Sequence, residues 1–422
     1  MTESFRESFL LSVTVALLLA SAVPACAQDG PPSEILNSII RSLGPRIPAT
    51  LPPVFDKAAA PVSDAACGLQ AFDMTLVKGT PKERRYAVLA DDATPKQMFV
   101  RISRLSVDAD GSERAYHPLD PSGRGICRRE TGRDGKEKLT GICALDAFSS
   151  GGLRLFVDTK QIPLMSKVNG DSTLNPDFDR EWRHIWPKIR GRKLKAFTLE
   201  GLTGRNDLPA FYYLFHDKAR RVTFLMKNNI IPTDRAGYPC LRGPESRYPG
   251  YFVAATTLQR SDVSARADGC TPLSFIDAEA IPFFVLPHAR MGGIGVGDIV
   301  IGHLKTRQGE RLVYGFAAET GPPGQLGEAS YAFARMLRKD VPASPANVID
   351  VYRADIGPSW LRRNGASLSI LVLGGTKALL RGDYSKGNVE RVGREQFAKW
   401  SGGANTRRLN ACAAGAKENG GH

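Results

Sequence analysis

From Cys67 onward, short runs of β-branched, aromatic and aliphatic residues alternate with polar positions and are broken by Gly, Pro, Asn and Asp. That pattern predicts strands over 98–105, 153–157, 210–215, 221–225, 251–255, 281–286, 298–304, 312–317 and 368–373. Helical spacing is rarer. Ala329, Phe333, Met336 and Leu337 share one face of a helix predicted over 327–339, and a second helix is predicted over 392–400. Many short strands with few helices imply a β-rich α+β fold rather than a doubly wound parallel sheet.

Before Cys67 the texture differs. Residues 9–23 (FLLSVTVALLLASAV) form an apolar run behind Arg6, and Ala25 and Ala27 supply the small residues that signal peptidase reads. This predicts a leader over 1–27 and a secreted or periplasmic protein with no transmembrane span once the leader is removed. A retained N-terminal anchor, or acylation at Cys26 in Val-Pro-Ala-Cys, are the other readings of the same stretch. Residues 28–66 are rich in Pro, Ala and Ser and read as a linker, with one short amphipathic helix over 34–43. The main domain is expected over 67–402, interrupted by a charged, irregular insertion at about 128–209, and residues 403–422 read as a disordered tail.

Cysteine usage agrees with export. Without Cys26, six remain: Cys67, Cys127, Cys143, Cys240, Cys270 and Cys412. Six cysteines permit about fifteen pairings, and short loop closure favours Cys127 with Cys143 and Cys240 with Cys270, leaving Cys67 for Cys412. No Cys-x-x-Cys occurs, so zinc and thioredoxin chemistry have no handle. The formal net charge is +14, and loss of Arg6, Glu3 and Glu7 with the leader makes it +15. Such a field favours polyanions.

The stretch 250–339 contains GYFVAATTL, FIDAEAIPFFVLP, GVGDIVIG and RLVYGFAAETGPPGQLGEASYAFARML in succession. With VDADGSERAYHP at 107–118 upstream, and LSILVLGG and VGREQFAKWSGG downstream, this order resembles the family-75 glycoside hydrolases, the fungal-type chitosanase family, in their bacterial form. The resemblance covers most of residues 98–402 apart from the insertion. It implies a six-stranded barrel core, with the double-psi barrel as its candidate type. It also implies endo-hydrolysis of chitosan or a related β-1,4-linked amino-sugar polymer, with inversion at the anomeric carbon and no cofactor or metal. The family's two essential carboxyls map onto Glu319 and Glu328, and members carry Asp where this chain has Glu319.

Hydrolysis of a glycoside needs one carboxyl to protonate the leaving oxygen and another to activate water. Glu319 ends an apolar strand, where burial raises a carboxyl pKa, and Glu328 opens a predicted helix, where the dipole favours the anion. On that basis Glu319 is expected to be the acid and Glu328 the base. Asp108, Asp110, Tyr116 and His117 are candidate sugar-cleft residues, and Asp277 and Asp298 join them; for each, a structural turn is the competing reading. The Asp108-x-Asp110-Gly spacing fails as a calcium loop because its glycine comes too early. Gly293-x-Gly295-x-Gly297 lacks the nucleotide-binding pattern, no G-x-S-x-G or H-E-x-x-H occurs, and His184, His216, His288 and His303 show no ligand spacing. From Arg180 to Lys195, Trp182 and Trp186 are interleaved with Arg and Lys. This segment is either a polyanion contact or a solvated face with two tryptophans turned inward. Nucleic acid is not an expected partner of an exported chain. Two alternatives stand beside the chitosanase reading: a non-catalytic glycan- or surface-binding protein, and a hydrolase of an anionic wall glycan. The charge lining the cleft discriminates them.

Overall fold

The computed structural model describes residues 34, 54–57, 66–76, 83–125, 127–147, 154–168, 171–192, 196–198, 211–227, 230–235, 239–266, 269–287, 291–321, 324–403 and 405–419. The expected leader, most of the linker and the predicted helix over 34–43 lie outside these, apart from Glu34.

The strands are β1 (Val54–Lys57), β2 (Gln70–Leu76), β3 (Arg84–Ala90), β4 (Gln97–Ile102), β5 (Ser106–Asp108), β6 (Cys127–Thr131), β7 (Glu137–Gly141), β8 (Arg154–Val157), β9 (Lys160–Ile162), β10 (Met165–Val168) and β11 (Asp171–Leu174). They continue as β12 (Ala196–Thr198), β13 (Phe211–Asp217), β14 (Val222–Lys227), β15 (Phe283–Pro287), β16 (Ile299–Thr306), β17 (Gly309–Gly321), β18 (Glu328–Ser330), β19 (Ser367–Leu373) and β20 (Glu418–Asn419). Helices are α1 (Pro176–Arg192), α2 (Tyr331–Leu337), α3 (Val348–Arg353), α4 (Pro358–Asn364), α5 (Lys386–Ser401) and α6 (Arg407–Gly415).

One large sheet dominates, in the order β1-β2-β3-β4-β19-β16-β17-β15-β18-β5, with β20 added beside β4. Its central strands are covered on both faces, so their sequences read as nearly continuous apolar runs. In β19, Leu368, Ile370 and Val372 face the cluster that holds Phe333 and Leu337 of α2, Val351 of α3 and Leu361 of α4. The alternate residues Leu371 and Leu373 face Val389, Phe397 and Trp400 of α5 and Leu409 of α6. The period of two thus sorts one strand between two cores. The β-rich α+β expectation holds. Among the described residues the pairing runs from β1 to β5 without closing on itself.

A second sheet, β12-β13-β14-β8-β9, carries α1 on an aromatic core of Phe178, Trp182, Trp186, Phe224 and Phe252. The indole N–H of Trp182 donates to the Pro118 carbonyl at 2.6 Å. The region read as an insertion is therefore packed against the 115–118 segment, and Ala115 and Tyr116 belong to the same core.

Several expectations are corrected. Residues 251–255 are extended but form no strand; their amides donate singly to the carbonyls of Tyr116, Cys240 and Ile230. The predicted helix over 327–339 begins only at Tyr331, because the Ser330 hydroxyl caps it by accepting from Phe333 N–H, which leaves Glu328 on β18. Part of the expected linker is strand β1, paired with β2. The segment from 403, read as a disordered tail, forms α6 and β20 and buries Leu409 and Cys412 in the core. Disulfides join Cys67 to Cys412, Cys127 to Cys143 and Cys240 to Cys270, the pairing that loop closure favours. Among the described residues no helix is long and apolar enough to cross a membrane.

Candidate active site

The two glutamates meet through the register of three adjacent strands. Val285 of β15 pairs with Glu319 of β17 on one side and Glu328 of β18 on the other. The pairing of β15 with β17 slips between Phe284–Ala317 and Val285–Glu319, so Ala318 is an extra residue in the ladder. A bulge of this kind re-aims the side chains that follow it. It turns Glu319 onto the face of Val285 and Glu328, where strict alternation from Ala317 would have put it on the other. Beyond β18, Ser330 pairs with Asp108 of β5, which sets Asp108 on this same face. Two strand spacings separate the backbones of Glu319 and Glu328, about 10 Å.

Gly321 lets their carboxyls approach more closely. A Cβ on Gly321 would lie 3.3 Å from Glu328 Oε2 and 2.8 Å from Val285 Cγ1. The Glu328 carboxylate therefore reaches across β15 to the strand that carries Glu319, over a position where a side chain would displace it.

The environments of the two acids are unlike. Glu319 accepts from the amide N–H of Thr257 at 2.7 Å, from the Thr257 hydroxyl, and from the Thr320 N–H at 2.8 Å. Burial raises its pKa, and these three donors pull against the rise. Among the described residues no hydrogen bond reaches the Glu328 carboxylate. Burial first, then the negative charges of Asp146, Glu319 and Asp355, push it up to about 7, against a weaker pull from Arg104. Glu328 therefore holds its proton up to about pH 7 with no hydrogen-bond partner among the described residues, whereas three donors oppose the rise at Glu319. Glu328 sits before the helix cap rather than within its first turn, so the dipole that favoured the anion is outweighed by its acidic neighbours.

Three further candidates join the pair. Asp108 and Asp110 lie well above the usual carboxylate range because both are buried and they repel each other and the glutamates, with Asp146 the largest charge acting on Asp110. Tyr116 O–H donates to Asp110 at 2.6 Å and to Asp146 at 3.3 Å. The other three candidates are engaged elsewhere. His117 accepts from Leu119 N–H at its Nδ1, packs edge-on to Tyr251, and is held neutral by burial, its pKa lowered to about 4. Asp277, raised to about 6 by burial, faces Glu279, Glu113 and Arg242. Asp298 ties two loops together by accepting from the amides of Gly295, Thr376 and Lys377.

The motifs did not reveal Asp146, Asp355, Thr257 or Thr320. Asp146 sits in the stretch read as insertion, three residues after the Cys143 that a disulfide ties to Cys127. The basic segment takes its second reading where side chains are described: Trp182 and Trp186 are buried, Arg180 pairs with Asp177 and Glu181, Arg183 with Asp179, and Lys188 with Asp217. Residues 193–195 lie outside the described residues. No family model matches the chain, and no curated protein matches it. Among the described residues no group of three or more His, Cys, Asp or Glu side chains converges as a metal site would.

Proposed function

We propose that the chain is an exported glycoside hydrolase that cleaves β-1,4-linked amino-sugar polymers such as chitosan with inversion. The observation that carries this reading is the asymmetric pair itself: two carboxyls on one face, both raised by burial, one up to about 7 with no hydrogen-bond donor among the described residues and the other with three donors opposing its rise. Pairs of acids whose surroundings push their pKa values apart have divided acid and base roles. Glu328 donates its proton to the glycosidic oxygen as the bond to the anomeric carbon breaks. Glu319 takes a proton from a water whose oxygen forms the new bond to that carbon. Inverting enzymes hold their carboxyls roughly 6.5–9.5 Å apart to admit this water, which suits a backbone spacing of about 10 Å with Glu328 leaning inward.

The lining supports a cationic substrate. Asp108, Asp110, Asp146 and Asp355 surround the pair, and Arg104 is the one cation acting on Glu328. A local acidic field thus opposes a net charge of +14, and an anionic wall glycan would meet repulsion here. Asp108 and Asp110, pushed well above the usual carboxylate range by burial and mutual repulsion, add a consequence: an ammonium group bound beside them favours their anions, so substrate binding should release protons. Export rests on the sequence pattern of residues 1–27 together with the three disulfides. The barrel type that the family resemblance implies remains part of this proposal.

The direct test is Glu319→Gln and Glu328→Gln on soluble chitosan, with product anomers followed by NMR. Each variant should lose at least three orders of magnitude in kcat while still binding, and the original protein should release the α-anomer. A Glu328→Gln protein that still hydrolyses at near the original rate refutes the assignment. Binding without hydrolysis by the original protein would favour the glycan-binding module instead.

A further inference from the structure

The acidic cleft has an aromatic edge that the two-carboxylate chemistry does not use. Tyr352 lies on α3, which buries Val348 and Val351 and exposes Ile349 and Tyr352 one turn apart. Tyr352 is 48% exposed, the one aromatic among the exposed large apolar residues whose side chains are described. Single exposed apolar residues are common and by themselves mean nothing. What sets this one apart is where the ring is held.

Both ends of α3 are pinned to the walls of the site. At its start, Val348 N–H donates to the Gly123 carbonyl at 3.3 Å. A Cβ on Gly123 would lie 2.8 Å from the Asp146 carbonyl oxygen and 2.9 Å from the Val348 Cβ, so the helix is seated against the segment bearing Asp146. At its end, Asp355 accepts from Val107 N–H at 2.8 Å, and Ile356 and Leu105 exchange backbone bonds of 2.9 and 2.8 Å along β5. The sequence of groups across the sheet is therefore Glu319, Glu328, Asp108, and then the Asp355 turn with Tyr352. Asp146 and Asp355 act on the Tyr352 hydroxyl and, with burial, push it up to about 12 against Arg124, while about half of the residue stays exposed.

We propose that Tyr352 is a binding platform for one glucosamine unit of the polymer, on the Glu328 side of the cleft and away from Glu319. The C–H face of a pyranose packs on an aromatic ring, and a protonated amino group near the ring adds a cation–π attraction. Asp146 and Asp355 supply the negative charge that an ammonium at this position requires. The exposed Ile349 extends the apolar ledge by one helical turn. This assignment rests on the amino-sugar reading of the same cleft and names a residue that positions the chain without touching the reacting atoms.

The test compares the original protein with Tyr352→Ala, Tyr352→Leu and Tyr352→Phe on chitosan oligomers of increasing length, with thermal melts to verify folding. For the hexamer, Tyr352→Ala and Tyr352→Leu should raise KM roughly three- to tenfold and move kcat less, while Tyr352→Phe stays within about twofold. The effect should shrink for dimers and trimers that do not span the cleft. Titration of the hexamer into Glu328→Gln, with and without Tyr352→Ala, should show the same loss in Kd without turnover. Unchanged hexamer KM and Kd in folded Tyr352→Ala, or an equal change for every oligomer length, overturns the platform while leaving a chitosan-cleaving enzyme intact. Failure of both the original protein and Glu328→Gln to engage any chitosan oligomer overturns the amino-sugar reading and the platform with it.

Discussion

Replacing Thr257 by valine keeps a β-branched side chain of similar shape and deletes one oxygen from the clamp on Glu319. The lost interaction is a hydroxyl donor to a carboxylate, worth about 1.5–3 kcal/mol. Two features reduce the net effect. The Thr257 amide bond at 2.7 Å survives, and Thr320 N–H, now divided between Glu319 at 2.8 Å and Thr257 Oγ1 at 3.1 Å, is freed to turn wholly to Glu319. A net loss of about 1.5 kcal/mol raises the Glu319 pKa by about one unit. The assay is kcat/KM on soluble chitosan across pH, whose two limbs report the apparent pKa values of the interacting pair. With Glu319 as base and Glu328 as acid, the acid limb should move up by about one unit. The alkaline limb, set by Glu328 near pH 7, should move far less. An alkaline limb that shifts while the acid limb stays fixed would refute the assignment and restore Glu319 as the acid.

Glu319→Asp should lower kcat/KM on the order of a hundredfold, because a carboxylate withdrawn by one methylene loses the Thr257 and Thr320 donors and the water position together; equal or higher activity would mean the clamp does not matter. The raised pKa of Glu328 also costs stability: the native state binds its proton more tightly than the unfolded chain, so that contribution is full below the unfolded value of 4.5 and is lost as pH rises through about 7. Glu328→Gln removes this loss, so it should be more stable than the original protein by about 3 kcal/mol at pH 8 and nearly equal to it at pH 4, as read by denaturant melts. The six paired cysteines should resist alkylation until reduced, and Cys412→Ala should cost about 4 kcal/mol by opening the tie from β2 to α6; free thiols on most of them in folded protein would contradict the framework.

Much of the sheet was legible because its strands are local and strongly patterned. The runs over 298–304, 312–317 and 368–373 became the interiors of β16, β17 and β19, where burial on both faces makes an apolar run unmistakable. Glu319, Glu328, Asp108, Asp110 and Tyr116, singled out from the order of motifs, are brought together by strand register and by the Tyr116–Asp110 hydrogen bond. What escaped depends on contacts between distant segments. The bulge at Ala318 has no sequence mark, yet it decides which face Glu319 occupies. Residues 251–255 have strand-like composition but meet three different partners, so no ladder forms. The polar, glycine-containing segment after 403 looked unable to bury a core, and its order comes from the disulfide to Cys67 and from Leu409. The roles expected from local cues differ from the proposed ones, because three donors on Glu319 and the acidic neighbours of Glu328 come from elsewhere in the sequence.

The measurement that bears most directly on the proposed function is the rate of reducing-end release by the purified protein from one polymer series graded from chitin to fully deacetylated chitosan, with peptidoglycan as the anionic comparison. The acid-lined cleft predicts a rate that rises with the fraction of free amino groups and falls as salt screens the attraction, with little or no release from peptidoglycan. A rate that is highest on chitin or peptidoglycan, or no release from any member of the series, would contradict the account.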